Sequence, residues 1–259
     1  MPTIFSAIAL LIAMALAGAG SGQDAQTAAR QDLSSLEGAT IAVDPGHNGG
    51  NASHPDEIAK LVPAGGFRKE CDTTGTATRD GELSEHAFAW DTARRLKKLL
   101  EAQGAKVVLT RPNDSGVGPC IDRRAAIGNR AKADAAISLH ADGGPARGRG
   151  FHVIYPGLVR GYTEKTRGPS RRLALDLRAV LTAAGLRRSD YTGKDGLDRR
   201  TDLGGLNLST VPKVLAELGN MQNSRDAAKL KSRAWRQSTA RALRDGLARY
   251  LARDISSGQ

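Results

Sequence analysis

Two histidines in this sequence follow runs of residues that are typical of buried strands. His47 comes shortly after Thr40–Val43, and His140 comes directly after Ala135–Leu139. Small or glycine-rich residues follow both histidines, and glycine lets a ligand approach the backbone closely. Imidazole is a frequent metal ligand, so the pair could bind a metal ion. Histidines at strand ends also serve structural or substrate-contacting roles, and both alternatives stay open here.

A catalytic zinc site needs three protein ligands and one open coordination position. The third ligand could be Glu82, Glu85 or His86, which lie at the start of a predicted helix. Spacing alone does not choose among these three residues. The sequence also lacks the compact H-E-x-x-H pattern that would indicate zinc more specifically.

Glu217 is a single acid inside the otherwise apolar run Val214–Leu218. A buried carboxylate is costly unless it is paired, bound to a metal or deliberately perturbed. Such a group could act as a general base that activates a water molecule. The alternative is a structural acid paired with one of the many arginines.

The elements that must position these side chains alternate between strands and amphipathic helices. This alternation predicts an α/β fold: a single domain with a central, mainly parallel or mixed twisted sheet flanked by helices. In such sheets functional residues gather beyond the carboxyl ends of the strands. We predict strands over residues 40–43, 106–110, 135–139, 150–155 and 213–218, and helices over 84–103, 122–132, 170–184, 226–231 and 233–253.

The amino-terminal residues differ in composition from the rest of the chain. Ile4–Ala17 is an apolar run followed by small residues, which is typical of a signal peptide and short for a membrane span. We therefore predict a signal peptide over 1–22, a linker over 23–37, a folded domain over 38–254 and a tail over 255–259. A buried helix is the alternative for the apolar run. A signal peptide predicts a protein that is secreted to the periplasm or cell wall, with no stable membrane span after cleavage.

The cysteines and the net charge indicate further properties. Cys71 and Cys120 are the two cysteines, and an even count in an exported chain favours one disulfide over two free thiols. The formal net charge is +11, which suits nucleic acid, an anionic membrane surface or an anionic wall polymer. Aromatic residues are only 4% of the chain, and export also argues against nucleic acid. A solvated basic surface is the simpler alternative.

Four sequence blocks in order resemble the zinc N-acetylmuramoyl-L-alanine amidases. The similarity extends from about Thr40 to Leu251, and it is greatest to the small stand-alone mycobacterial members, through Gly118-Pro119-Cys120 and Gly143-Gly144-Pro145. The blocks are Asp44-Pro45-Gly46-His47, Ser84-Glu85-His86, Ile121 to Asn129 followed by Ile137-Ser138-Leu139-His140-Ala141-Asp142, and Leu215 to Asn223.

The resemblance implies a zinc amidase fold of the phosphorylase/hydrolase-like type and one zinc ion per chain, held by His47, Glu85 and His140. It assigns Glu217 as the general acid/base. The implied reaction is hydrolysis of the amide between N-acetylmuramic acid and L-alanine in peptidoglycan or muropeptide fragments. In this reading the residues expected to contact the substrate are Asn48, Arg124, Gly143 and Gly144.

This chain departs from the family pattern at three places beside the reacting groups. Asn48 replaces a common glycine, Gly128 replaces alanine, and Leu218-Gly219-Asn220 replaces a Gly-Phe pair. These differences bear on substrate preference more than on chemistry. The competing functions are another zinc hydrolase that acts on the stem peptide and a non-catalytic wall-binding module. We further expect a monomer whose basic surface binds anionic wall polymers.

Overall fold

The structure is a computed structural model that describes residues 36–257, with side chains as far as residue 253. The predicted signal peptide and nearly all of the predicted linker lie outside the described residues. Where the described chain forms helices, none is both long and apolar enough to cross a membrane.

The described chain alternates strands and helices from β1 to α7. The strands are β1 (Thr40–Pro45), β2 (Leu61–Pro63), β3 (Arg68–Glu70), β4 (Lys106–Leu109), β5 (Ala135–Asp142), β6 (His152–Pro156), β7 (Leu197–Arg200) and β8 (Lys213–Asn220). The α-helices are α1 (Pro55–Ile58), α2 (Glu85–Glu101), α3 (Ile121–Arg130), α4 (Arg167–Ala183), α5 (Gly204–Asn207), α6 (Ser224–Lys231) and α7 (Arg233–Ser257).

Six of the strands form one sheet in the order β4-β1-β5-β8-β6-β7. Pairing is parallel from β4 to β8 and again between β6 and β7, whereas β6 and β8 are antiparallel. The predicted α/β fold with a mainly parallel, mixed sheet is therefore confirmed. Because β1, β5 and β8 are parallel, their carboxyl ends meet at one edge of the sheet.

Side chains alternate between the two faces of the sheet, as the pleat of a strand requires. The apolar face is formed by residues that are at most 2% exposed: Ile41, Val43, Ile137, Leu139, Val214, Ala216 and Leu218. The polar face carries the intervening residues, which include Asp44, Ser138, His140, Lys213 and Glu217, with His152 of β6.

Helices α2 and α4 pack on the apolar face and α7 packs against both of them, and together they form one large core with the sheet. Their inward residues recur at helical spacing, as Phe88, Leu96 and Leu100 do in α2. Ser84 occupies the predicted N-cap position of α2. Its hydroxyl, however, lies 2.8 Å from Nε2 of His86 and does not cap a backbone amide.

The polar face is covered more thinly, by α3 and α5. Its only apolar cluster in the described chain is small and consists of Ala42, Ala133, Ala136 and Val211. Gly128 of α3 lies over this cluster, where an added Cβ would come 3.4 Å from Cβ of Ala42. The small residues let α3 approach the sheet closely.

The structure differs from the sequence prediction in several places, among them the short helix α5, which was not predicted. The segment from His47 to Leu83, predicted to be irregular, contains α1 and the β2–β3 hairpin. Strand β7 was not predicted, because Leu197-Asp198-Arg199-Arg200 has no apolar alternation. The strand predicted from Gly150 begins at His152, since Gly150 adopts a positive φ of 101° and donates its amide to Asp226.

Candidate metal centre and active site

Three of the predicted site residues converge at the carboxyl edge of the sheet. His47 Nε2 lies 3.2 Å from Oε1 of Glu85, and His140 Nδ1 lies 2.8 Å from the same oxygen. One ligand atom from each residue falls within 4.8 Å of the other two. The group has the donor types of a His₂Glu zinc site and the spacing that a single ion requires.

The outer nitrogen of His47 is held by the loop that follows β3. Nδ1 lies 2.9 Å from the carbonyl oxygen of Thr73 and 3.4 Å from Oδ1 of Asp72. A hydrogen bond at the second ring nitrogen orients an imidazole ligand and selects its tautomer. This arrangement leaves Nε2 of His47 pointing to Glu85.

His140 is positioned by its own strand and by the absence of a side chain opposite it. Its Nε2 lies 3.1 Å from Oγ of Ser138, two residues earlier on the same face. The ring lies directly against Gly46, where a Cβ would come 2.2 Å from its Cε1. Any larger residue at position 46 would displace the imidazole.

Glu85 is the first residue of α2, and its carboxylate is held at both oxygens. Oε2 accepts a hydrogen bond of 2.9 Å from the amide of Thr76, while Oε1 faces the two histidines. The other two candidates for the third ligand lie elsewhere. His86 contacts Asp114 and Ser84, and Glu82 is exposed and paired with Lys231.

The charges around His47 and Glu85 favour a bound cation. Burial lowers the pKa of His47, but the carboxylates of Glu85 and Asp72 outweigh that effect and raise it to about 10. Burial likewise raises the pKa of Glu85, and the two histidines reverse this and hold it well below its ordinary value. The carboxylates therefore attract positive charge between the rings, as a proton or as a metal ion.

Glu217 lies beside His140 in the adjacent parallel strand, at the same level of the sheet. Burial raises its pKa well above the ordinary value, and the nearby charges of Glu85 and Asp142 raise it further. Its Oε2 is buried and has no hydrogen-bond partner among the described residues. A perturbed carboxyl group of this kind next to a metal-ligand cluster suits a general acid/base.

Arg124, predicted to contact the substrate, lies at the centre of a buried network under the site. It pairs with Asp44 and Asp72 at 2.9 Å each. It also donates to backbone oxygens, including that of His47, and each guanidinium nitrogen has a protein acceptor. The geometry therefore gives Arg124 a role in fixing the His47 and Asp72 loops, and substrate contact there stays a prediction.

The other three predicted substrate contacts surround the same edge. Asn48 is buried, and its side-chain amide donates to the carbonyl oxygen of Gly118 at 2.8 Å. Gly143 is exposed beside Thr76, and Gly144 lies under the ring of Tyr191. Direct contact between these residues and a substrate also stays a prediction.

Two asparagines hold the glycine-rich loop after β5. The side-chain amide of Asn220 donates to the carbonyl oxygens of Pro145 and Gly148 at 2.8 Å each, and that of Asn223 donates to Ala146 at 2.8 Å. Asn220 and Asn223 belong to the last of the four sequence blocks. The sequence singled out that block without indicating this role.

An open cavity reaches the metal-ligand cluster along the polar face. It encloses about 780 Å³ including its mouth and extends from His47 and His140 to Leu206 of α5. Cys71 and Cys120 form the predicted disulfide, which links the loop carrying Asp72 and Thr73 to the start of α3. The disulfide therefore joins two segments that both line the cavity, this loop and α3.

The residues that hold the ligands were not identified from the sequence. Ser138 could have been found, because it lies two residues before His140 in a predicted strand and so shares its face. Asp72, Thr73 and Thr76 gave no comparable signal, since they belong to a segment without periodicity.

Comparison with known proteins gives one consistent result. The family model for N-acetylmuramoyl-L-alanine amidase matches residues 41–249. The amidase Rv3717 of Mycobacterium tuberculosis is 44% identical over 218 residues, which cover 84% of this chain and 88% of that protein. A probable cell wall amidase, LytH of Staphylococcus epidermidis, is 30% identical over 86% of this chain and 63% of its own length.

Solved structures agree with these sequence matches. The amidase Ami1 from Mycobacterium abscessus is 44% identical with a TM-score of 0.78, covering 83% of this chain and all of that one (100%). The catalytic domain of the amidase CwlV from Bacillus (Paenibacillus) polymyxa is 22% identical with a TM-score of 0.61, covering 82% of this chain and 98% of its own, and shares the fold. This chain belongs to the N-acetylmuramoyl-L-alanine amidase family.

Proposed function

We propose that this protein is a zinc-dependent N-acetylmuramoyl-L-alanine amidase that releases the stem peptide from peptidoglycan or muropeptides. The observation that carries the proposal is the convergence of His47, Glu85 and His140 within 4.8 Å, with Glu217 in register beside His140. One ion per chain fits this group, which supplies three protein ligands from a donor set that suits zinc.

When bound, zinc would lower the pKa of a water molecule towards ~7 and polarise the amide carbonyl. Glu217 takes the proton of the attacking water and passes it to the leaving nitrogen of L-alanine. Asp72, Thr73 and Ser138 hold the outer nitrogens of the two histidines, so that the inner nitrogens face Glu85. The glycine-rich loop and the cavity beside α5 flank the reacting bond.

The direct test is incubation of the purified protein with a defined muramoyl peptide, with zinc or with a chelator. The expected product is an intact stem peptide that begins at L-alanine, identified by mass, and the chelator abolishes its release. Glu217→Gln keeps the size of the side chain and removes the base, so we expect kcat to fall about 10²–10⁴-fold.

Glu57→Gln is the matched control, because Glu57 is an exposed glutamate in α1 and should leave kcat unchanged. Cleavage within the stem peptide would instead establish a zinc peptidase. Binding to wall fragments without any cleavage would establish a wall-binding module and contradict the amidase proposal.

We further infer that the protein acts in the cell wall or periplasm after export, as a monomer, and that basic side chains contribute to wall binding. Exposed cations on the surface of the described chain support this, among them Arg147, Arg187, Lys194 and Arg199. Attraction between exposed charges is screened by salt. Binding to isolated sacculi should therefore weaken as salt rises, and binding insensitive to salt would contradict the charge-based part.

A further inference from the structure

Glu217 lies between two histidines in one row across the polar face. His140 is level with it in the parallel neighbour β5, and His152 is directly opposite it in the antiparallel neighbour β6. Residues directly opposite each other across an antiparallel pair have Cβ atoms about 4.5–5.5 Å apart, with both side chains on the same face. His140 belongs to the metal-ligand cluster, whereas His152 has no role in the proposed reaction so far.

Each member of the Glu217–His152 pair carries a buried polar atom without a partner. Oε2 of Glu217 and Nδ1 of His152 are both inaccessible and make no hydrogen bond within the described chain. His152 as a whole is only 3% exposed. Buried polar atoms are rarely left unpaired in native proteins. Because these two atoms make no direct hydrogen bond, one bridging water would satisfy both.

The ring of His152 is held in place from its other side. The ring of Tyr191 meets it edge to face at 6.1 Å between centroids, with an interplanar angle of 89°. The hydroxyl of Tyr191 donates to Oδ2 of Asp142 at 2.9 Å, and Gly144 leaves room for the tyrosine ring. Tyr191 therefore packs against the ring of His152, which shares a face of the sheet with Glu217.

The charge state of the imidazole suits a hydrogen bond to a carboxylate. Burial lowers the pKa of His152, although Asp142 and Asp198 oppose that effect and Arg200 adds to it. A neutral imidazole donates through one nitrogen and accepts through the other. It can therefore donate to Glu217 without adding a positive charge beside a metal ion.

We propose that His152 is a positioning residue for Glu217. A hydrogen bond from Nδ1 of His152 to Oε2 of Glu217, carried by one bridging water, fixes the rotation of the carboxylate and turns its other oxygen towards the His47–Glu85–His140 cluster. This inference rests on the proposed function for its catalytic consequence, but the hydrogen bond itself can be tested without any activity measurement.

The kinetic test compares His152→Phe with His152→Asn. Phenylalanine keeps the ring packing against Tyr191 and lacks the nitrogen, whereas the amide nitrogen of asparagine occupies a position close to Nδ1. Loss of a supporting hydrogen bond next to a catalytic group typically lowers activity about 10–100-fold. We expect His152→Phe to lower kcat by that factor with KM within about twofold, and His152→Asn to restore most of the loss.

A role in packing alone predicts the opposite order, with His152→Phe close to wild type and His152→Asn impaired and less stable. That order would overturn the proposal. Thermal unfolding of both variants separates a folding defect from a defect in the positioning of Glu217.

The hydrogen bond is tested separately by ¹⁵N spectroscopy of the histidine rings in the zinc-loaded protein. The His152 signals are assigned by their absence from His152→Phe. We expect the Nδ1 resonance of His152 to move in Glu217→Ala and to stay in place in Glu57→Gln. No movement in Glu217→Ala overturns the inference. A protein that fails to cleave muramoyl peptides but shows the shift would contradict the proposed function and leave the pairing intact.

Discussion

The two faces of the central sheet are built from the same strands and differ in almost every other respect. The apolar face is buried under α2 and α4, with α7 packed against both, and is continuous with the main core. The polar face holds ion pairs, metal-ligand candidates and an open cavity. Because strand residues alternate with a period of two, each strand contributes to stability with one set of side chains and to chemistry with the other.

This difference leads to distinct expectations for mutations on each face. Truncation on the apolar face removes contacts and leaves a cavity, which lowers stability without touching the reacting groups. Substitution on the polar face changes charge and metal coordination. We therefore expect it to lower activity, or to break buried ion pairs and so lower the free energy of unfolding. Three predictions test this separation, in order of decreasing effect.

The largest effect is expected from Glu85→Gln on the polar side. The variant removes the charge that both histidines face, so zinc should be lost and activity should fall to that of the chelated protein. The measurement is the ratio of zinc to protein after dialysis against a competing chelator. Glu82→Gln is the control, since Glu82 is exposed and should retain both zinc and activity. Retention of zinc by Glu85→Gln would contradict the ligand assignment.

Asp44→Asn should be the next most severe change. Asp44 is 4% exposed and pairs with Arg124 at 2.9 Å and Lys213 at 3.1 Å. Its neutralisation leaves buried Lys213 without its carboxylate and Arg124 with Asp72 alone. We expect a loss of about 3–5 kcal/mol in the free energy of unfolding, measured by denaturant titration. The exposed Asp56→Asn should change it by less than about 0.5 kcal/mol.

The loss of stability in Asp44→Asn should depend on pH. Although burial raises the pKa of Asp44, Lys213 and Arg124 lower it far below its ordinary value. A carboxyl group whose pKa is lower in the folded than in the unfolded state stabilises the folded state at pH values above its unfolded pKa, about 3.9 for Asp. This stabilisation is lost progressively as the pH falls from there towards the folded pKa. The stability gap between wild type and Asp44→Asn should therefore be full at neutral pH and narrow below about pH 4. A gap that is constant down to pH 2 would contradict the ion-pair account.

Leu177→Ala on the apolar side should have the smallest effect on function. Leu177 is fully buried in α4 against Gly246 of α7. We expect a loss of about 2–5 kcal/mol in stability, with kcat and KM of the folded protein unchanged. Leu158→Ala, at an exposed leucine, should stay within about 0.5 kcal/mol of wild type. A change in kcat in Leu177→Ala would show that the two faces are coupled.

Much of the fold could be predicted because the residues that form the apolar core recur in the sequence as apolar runs in the strands and apolar stripes in the helices. The runs around Val43, Leu139 and Ala216 are apolar at every position or nearly so, and the helix that begins at Glu85 has a regular apolar stripe. The order of the strands in the sheet could not be predicted, because pairing depends on contacts between segments far apart in the sequence. Strand β7 is charged and lies at an edge, so it lacked the pattern altogether.

The candidate site was only partly predictable. His47, His140 and Glu217 stood out because each interrupts or ends an apolar run. The choice of Glu85 over its neighbours came from family resemblance, and the structure places it against both histidines. The contacts to Asp72 and Thr73 could not be foreseen, since they come from an irregular loop tied down by Cys71.

The row formed by His140, Glu217 and His152 has a consequence for protein design. Neighbouring strands are spaced about 4.7–4.9 Å apart by backbone hydrogen bonds, so the separation between a metal ligand and the proposed base is set by the ladder itself. A scaffold with three adjacent strands in this parallel and antiparallel register would reproduce that separation before any loop is built. Transplanting the site then becomes a problem of register first and of side-chain packing second.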